Sequence, residues 1–194
     1  MKKLLLLLGV SLTATCAYSQ SFMHGAGVAV FVEKYKDVDA GTAVGFTYSP
    51  RFNFVESESM SVSVGIPISL AFSGSGEYNS RTGASDDAKL GILINAPVMV
   101  NLNFGAGSSP DNESRFGGFI GGGGGFHWGA STEQFDQNGN VKNVSGTTFG
   151  YAANAGMRIA LGDSGKNIEI KASYFKGVNE GKLDLIGVAG IFNF

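Results

Sequence analysis

Charge is scarce in this sequence: Asp, Glu, Lys and Arg make up 15% of its 194 residues, where soluble domains carry about 25%. A cationic excess is missing as well. With 14 basic residues against 16 acidic ones, the chain lacks the electrostatic footprint of a nucleic-acid binder. Cysteine occurs once, as Cys16, which excludes a disulfide framework and a thiolate metal site. Histidine occurs only at His24 and His127. No apolar run is long enough to cross a bilayer as a helix; the longest, Leu4 to Leu12, falls well short of about 20 residues. Hydrophobic residues, by contrast, reach 43%, and that excludes a disordered chain, which combines low hydrophobicity with high charge. Glycine is abundant too, with 30 residues, about twice the usual share.

The first residues read as an export signal. Lys2 and Lys3 precede the apolar run, and Ala17-Tyr18-Ser19 offers small residues at the positions a signal peptidase requires. This predicts a signal peptide over 1–19, cleaved between Ser19 and Gln20, and a single mature domain over 20–194. A rival reading makes Cys16 a lipid acceptor, because Leu12-Thr13-Ala14-Thr15-Cys16 loosely resembles a lipobox, with Thr15 a poor fit.

Beyond the signal, the chain alternates with period two. Leu90, Ile92, Ile94, Ala96, Val98, Val100, Leu102 and Phe104 share one phase, while Gly91, Asn95, Asn101 and Asn103 share the other. A helix would scatter those asparagines around its circumference; a strand keeps them on one face. Val62 to Phe72 and Phe149 to Leu161 repeat the pattern. The same template predicts eight strands, near 23–33, 42–55, 61–73, 90–105, 116–129, 148–161, 168–177 and 183–194. Segments 34–41, 74–89, 130–147 and 178–182 hold most of the charge and turn residues, and they alternate with shorter turns at 56–60, 106–115 and 162–167. Long loops at one end and short turns at the other are the rhythm of an up-and-down barrel.

Alternation does not say which face is outside, but side-chain chemistry does. The polar phase is mostly Gly, Ser and Asn, with a few charges such as Arg51, Arg158, Glu169 and Lys171. Small polar residues suit the narrow interior of an eight-stranded barrel, and an uncharged apolar phase suits lipid. Aromatics fall in two bands: Phe52, Phe54, Phe104 and Phe192 near the short turns, and Phe72, Phe126, Trp128, Phe149 and Tyr151 near the long loops. Such bands are interfacial girdles. The expected fold is therefore all-β, an eight-stranded antiparallel up-and-down transmembrane β-barrel. A soluble ligand-binding barrel, with the faces exchanged, is the outsider.

The ending Ile186-Gly187-Val188-Ala189-Gly190-Ile191-Phe192-Asn193-Phe194 resembles the last strand of small Gram-negative outer-membrane β-barrel proteins, which close on a terminal aromatic preceded by alternate apolar residues. Gly190 departs from that pattern by being small. The resemblance implies integral residence in the outer membrane, contact with its lipid and lipopolysaccharide, and recognition of Phe192 and Phe194 by the barrel-assembly machinery. It fixes no activity.

Pro67 and Pro97 fall mid-strand, where proline removes a ladder donor; a simple hairpin places them opposite each other and predicts a bulge or weak pair. Gly121 to Gly125 contains a G-x-G-x-x-G match without a βαβ unit, so it predicts curvature, or large side chains lying over bare backbone, rather than a dinucleotide site. Asp136-Gln137-Asn138-Gly139-Asn140 starts like a calcium loop but has Val141 and Thr147 where that motif needs Gly and Glu. Asp86 and Asp87 read as solvated loop charge. No catalytic residue, metal site or cofactor is expected.

Arg51, Arg158, Glu169 and Lys171 are expected to form a lumenal polar network that closes the interior. The leading expectation is a non-enzymatic outer-membrane barrel with a filled lumen, whose loops serve envelope integrity, adhesion or recognition. Two alternatives stay open. One is a lipid-modifying enzyme using His127 at the outer rim with Ser131 or Thr132; against it stands a plain exposed or girdle histidine. The other is a narrow small-solute channel.

Overall fold

The structure, a computed structural model, describes residues 21–36, 40–75, 89–135, 141–162, 165–178 and 183–194. Its strand segments are β1 (Ser21–Met23), β2 (Gly25–Lys34), β3 (Gly41–Tyr48), β4 (Arg51–Glu56), β5 (Met60–Gly65), β6 (Ile68–Ser75), β7 (Lys89–Gly105), β8 (Phe116–Phe135), β9 (Val141–Ala160), β10 (Asn167–Gly177) and β11 (Asp184–Asn193). Three staves of the barrel are interrupted, at His24, at Ser49-Pro50 and at Ile66-Pro67, so the segments make eight staves. Each stave pairs antiparallel with its sequence neighbour. The wall closes where β11 meets β2 in the register Gly25↔Asn193 to Lys34↔Asp184.

The faces divide as the residue chemistry requires. Val28, Val30, Val44, Phe46, Leu70, Val98, Val100, Ile120, Met157, Ile170, Ile186 and Val188 all point outward and are exposed. Exposed charge in the described residues sits beyond this belt, at Lys34, Lys36 and Lys176 on one rim and at Glu58, Asp111, Glu113, Arg115 and Lys166 on the other. Phe22, Phe52, Phe104, Phe116, Phe192 and Phe194 ring the short-turn end, and Phe72, Phe126, Phe149, Tyr151 and Tyr174 ring the other. Phe54 leaves its band: the register shifts between Asn53 and Val55, and Val55 takes the outward position.

The prolines meet. The pairs Gly65↔Met99 and Ser69↔Asn95 bracket Pro67 and Pro97, which lie opposite each other in an uninterrupted register. The outcome is a weak pair and not a bulge: two facing residues without N–H cannot bond across the ladder, yet no residue is inserted. The neighbouring stave breaks at the same height, where the Ile66 N–H donates to the Pro50 carbonyl at 3.2 Å.

In the glycine run, a Cβ at Gly123 would stand 1.9 Å from the Val98 carbonyl oxygen, and one at Gly125 2.3 Å from Pro97 Cα. The backbones of β7 and β8 approach too closely there for any side chain, which is the curvature reading. The second reading also has an instance, since the Asn101 side chain lies where a Gly121 Cβ would be.

Two connections differ from expectation. β8 and β9 run to Phe135 and from Val141, so most of the 130–147 loop is a protruding hairpin. The 106–115 turn, in contrast, folds inward. The expected signal peptide, Cys16, the Ser19–Gln20 junction, Asp86, Asp87 and 136–140 lie outside the described residues.

Candidate functional site

The inward phase of the staves makes a lumen with two halves. Towards the long loops it is apolar, packed with Phe31, Ala43, Ala71, Leu93, Phe175, Leu183 and Leu185. Towards the short turns it is polar, with Asn53, Ser61, Ser63, Asn103, Asn167 and Asn193 buried beside Arg51, Arg158, Glu169 and Lys171. Strand alternation brings these residues inward, and register brings them together: Arg158 pairs with Glu169 across β9 and β10.

Arg158 Nε donates to Glu169 Oε2 at 2.7 Å, and Nη1 donates to Asn103 Oδ1 at 3.1 Å. Its guanidinium also lies 4.4 Å from the centre of the Phe119 ring, a cation–π contact. Arg51 Nη1 stands 3.6 Å from the same carboxylate oxygen and donates to Asn193 Oδ1 at 3.2 Å. Asn193 in turn donates to Asn167 Oδ1 at 2.8 Å and to Glu169 Oε2 at 3.3 Å. Lys171, on the same face of β10 as Glu169, is buried but makes no ion pair within 4.0 Å among the described residues. Breaking such a buried pair by removing one partner costs about 3–5 kcal/mol.

The inward-folded turn completes this arrangement. Gly105 and Gly107 adopt φ of 62° and 70°, a left-handed conformation that glycine enters without penalty. They turn Ala106 to Ser109 into the barrel mouth, where all four are buried. The Gly107 carbonyl accepts from Arg51 Nη2 at 3.2 Å and from Arg158 Nη1 at 3.3 Å, and the Ser108 carbonyl accepts from Asn53 Nδ2 at 3.1 Å. The segment is a plug, its bare carbonyls satisfied by the lumenal arginines and Asn53. The sequence does carry a trace of it: Gly105-Ala106-Gly107-Ser108-Ser109 is the run of small residues that fits such a space.

His127 is not at a rim. β8 continues past it to Phe135, and its ring is fully buried inside the barrel with Nε2 2.9 Å from Glu33 Oε1. The ring centre lies 6.2 Å from that of Phe175. The side chains of Ser131 and Thr132 are not among those described. A histidine in this place faces the lumen, which corrects both the outer-rim placement and the exposed or girdle reading. Glu33 was missed because its partner is distant in sequence. His24 lies at the other end, 4.4 Å from Phe194 by ring centres and 3.2 Å from the Tyr48 hydroxyl. Phe194 N–H also donates to the His24 carbonyl at 2.9 Å, while Phe192 stacks on Phe194 at 5.8 Å. Among the described residues no three metal-ligating side chains converge.

No protein-family model matches the chain, and no curated protein sequence does. Solved structures do. Neisserial surface protein A superposes with a TM-score of 0.53 at 12% identity, over 90% of this chain and 97% of that one. The attachment invasion locus protein of Yersinia pestis gives 0.46 at 15% identity, over 91% and 99%. With the closed wall, the apolar outer belt and the likeness to the Neisserial protein on hand, the chain has the eight-stranded up-and-down fold of the small Gram-negative outer-membrane β-barrels.

Proposed function

We propose that the protein is an integral outer-membrane barrel without enzymatic activity, its lumen filled and its long loops presented for envelope integrity, adhesion or recognition. The observation that carries this reading is the uncharged apolar belt on a closed wall, which buries itself only in lipid. Residues 1–19 serve as the export signal, cut between Ser19 and Gln20, and Phe192 and Phe194 are what the barrel-assembly machinery reads. Lipid and lipopolysaccharide are the partners of the belt. The plug at 106–109 and the Arg51, Arg158, Glu169 network support a structural lumen over a solute path. The burial of His127 against Glu33 supports a packing role over attack on lipid.

The test is fractionation followed by electrophoresis of heated and unheated samples. Retention in the outer membrane after carbonate washing, with a band that moves on boiling, is expected. Recovery in the periplasm with no heat shift would invert the faces and remove the reading. Lipid profiles that stay unchanged on His127→Ala are expected as well; a lost lipid modification would instead make the protein an enzyme.

A further inference from the structure

Charge inside the short-turn half of the lumen does not balance. Three cations, Arg51, Arg158 and Lys171, face one carboxylate, Glu169, and all four are buried. The other buried carboxylate among the described residues, Glu33, belongs to the opposite half, against His127. Donor accounting gives the same result. Arg158 uses Nε and Nη1 on Glu169, Asn103 and the Gly107 carbonyl. Arg51 uses Nη1 and Nη2 on Asn193, Met23 and the Gly107 carbonyl, but its Nε has no partner among the described residues. Lys171 has no hydrogen bond there either; burial and the repulsion of Arg158 and Arg51 oppose the longer-range attraction of Glu169. Its cross-strand neighbours are Gly156 and Ala189, too small to hold its ammonium away from the centre. Uncompensated buried charge is costly, and a lumen that keeps three cations against one carboxylate has a use for a negative charge.

The space for it is present. Arg51, Arg158, Lys171 and Glu169 line one small cavity of about 10 Å³ together with Asn101 and Asn154, room for about one water-sized body. Both asparagines have a buried Oδ1 without a hydrogen-bond partner among the described residues, that of Asn101 lying against Gly121. A half-turn of the Asn154 amide exchanges its oxygen for Nδ2–H and gives an anion a further donor. Glu169 is the opposing charge that faces the cavity, and its Oε2 is already committed to Arg158 and Asn193.

We propose that the lumen binds one small monovalent inorganic anion, of chloride size, between the Lys171 ammonium, Arg51 Nε and the Arg158 guanidinium. A phosphate monoester or a carboxylate on a carbon chain is too large for the space. The anion completes the network and makes barrel stability respond to halide.

The experiment uses the full mature chain refolded in detergent, with urea unfolding read by the electrophoretic shift at constant ionic strength. Chloride and bromide should raise the midpoint above that in gluconate, saturably. Lys171→Met should abolish this difference and, in gluconate, match or exceed the wild type, because it removes the unbalanced cation. Crystals grown in bromide should show an anomalous peak between Lys171 and Arg51. Equal midpoints in halide and gluconate, a halide effect undiminished in Lys171→Met, or water without anomalous signal in the cavity would overturn the proposal. Should Lys171→Met fail to fold, Lys171→Gln and the bromide crystal decide.

Discussion

At the scale of single residues, the lumen is filled by pairing large side chains with glycine. Phe31 lies opposite Gly187, and Phe119 lies opposite Gly156. A Cβ at Gly187 would stand 2.7 Å from the Phe31 ring, one at Gly156 2.5 Å from the Phe119 ring, and one at Gly150 2.7 Å from the Phe175 ring. The rings lie flat over bare backbone, an arrangement that stabilises glycine within strands. Gly187→Ala should therefore destabilise the barrel by about 1–3 kcal/mol through overpacking, read as a lower urea midpoint. Phe31→Leu in the same background should recover part of the loss, because the clash is with a ring and with the movable Ser173 hydroxyl. Glu169→Gln removes the one anion facing three cations; a loss on the order of 3–5 kcal/mol is expected, well beyond that of Gly187→Ala. Inward phase was readable from sequence for Arg51, Arg158, Glu169 and Lys171, since alternation fixes the face of each. The partners Phe31–Gly187 and Glu33–His127 were not, because a partner depends on the register between staves, which no single segment records.

At the scale of elements, the β7–β8 connection and the apolar cluster are two barriers in series. Gly107→Val places a branched side chain at φ 70°, 2.7 Å from Asn167 Nδ2, and should expel the plug. The lumen above it remains shut by Phe31, Leu93, Phe175 and Leu185, each at most 3% exposed. Planar bilayers should accordingly stay silent with the wild type and with Gly107→Val alone. Conductance steps are expected only when Phe31→Ala and Phe175→Ala are added. The inward fold of 106–109 escaped the sequence reading because small polar residues describe a surface turn equally well; what decides is the set of donors waiting below, supplied by β4 and β9. The proline pair was legible for the opposite reason, since one hairpin of known phase sets both positions.

At the scale of the whole molecule, the fold was legible because one physical demand repeats on every stave: an apolar phase without charge and a small polar phase. Both girdles followed from the same alternation, and only Phe54 was lost, to a bulge that composition does not announce. The migration difference expected between heated and unheated protein belongs to this scale, because it would report closure of the whole wall. Closure rests on the seam between β2 and β11, where Gly25 pairs with Asn193 and the Phe194 N–H meets the His24 carbonyl. That seam sets the order of events in time. The first stave waits for β11, so the wall cannot be sealed before that strand has been made. Joining ends so distant in sequence makes folding slow, and until they join, an open strand edge is exposed to other chains.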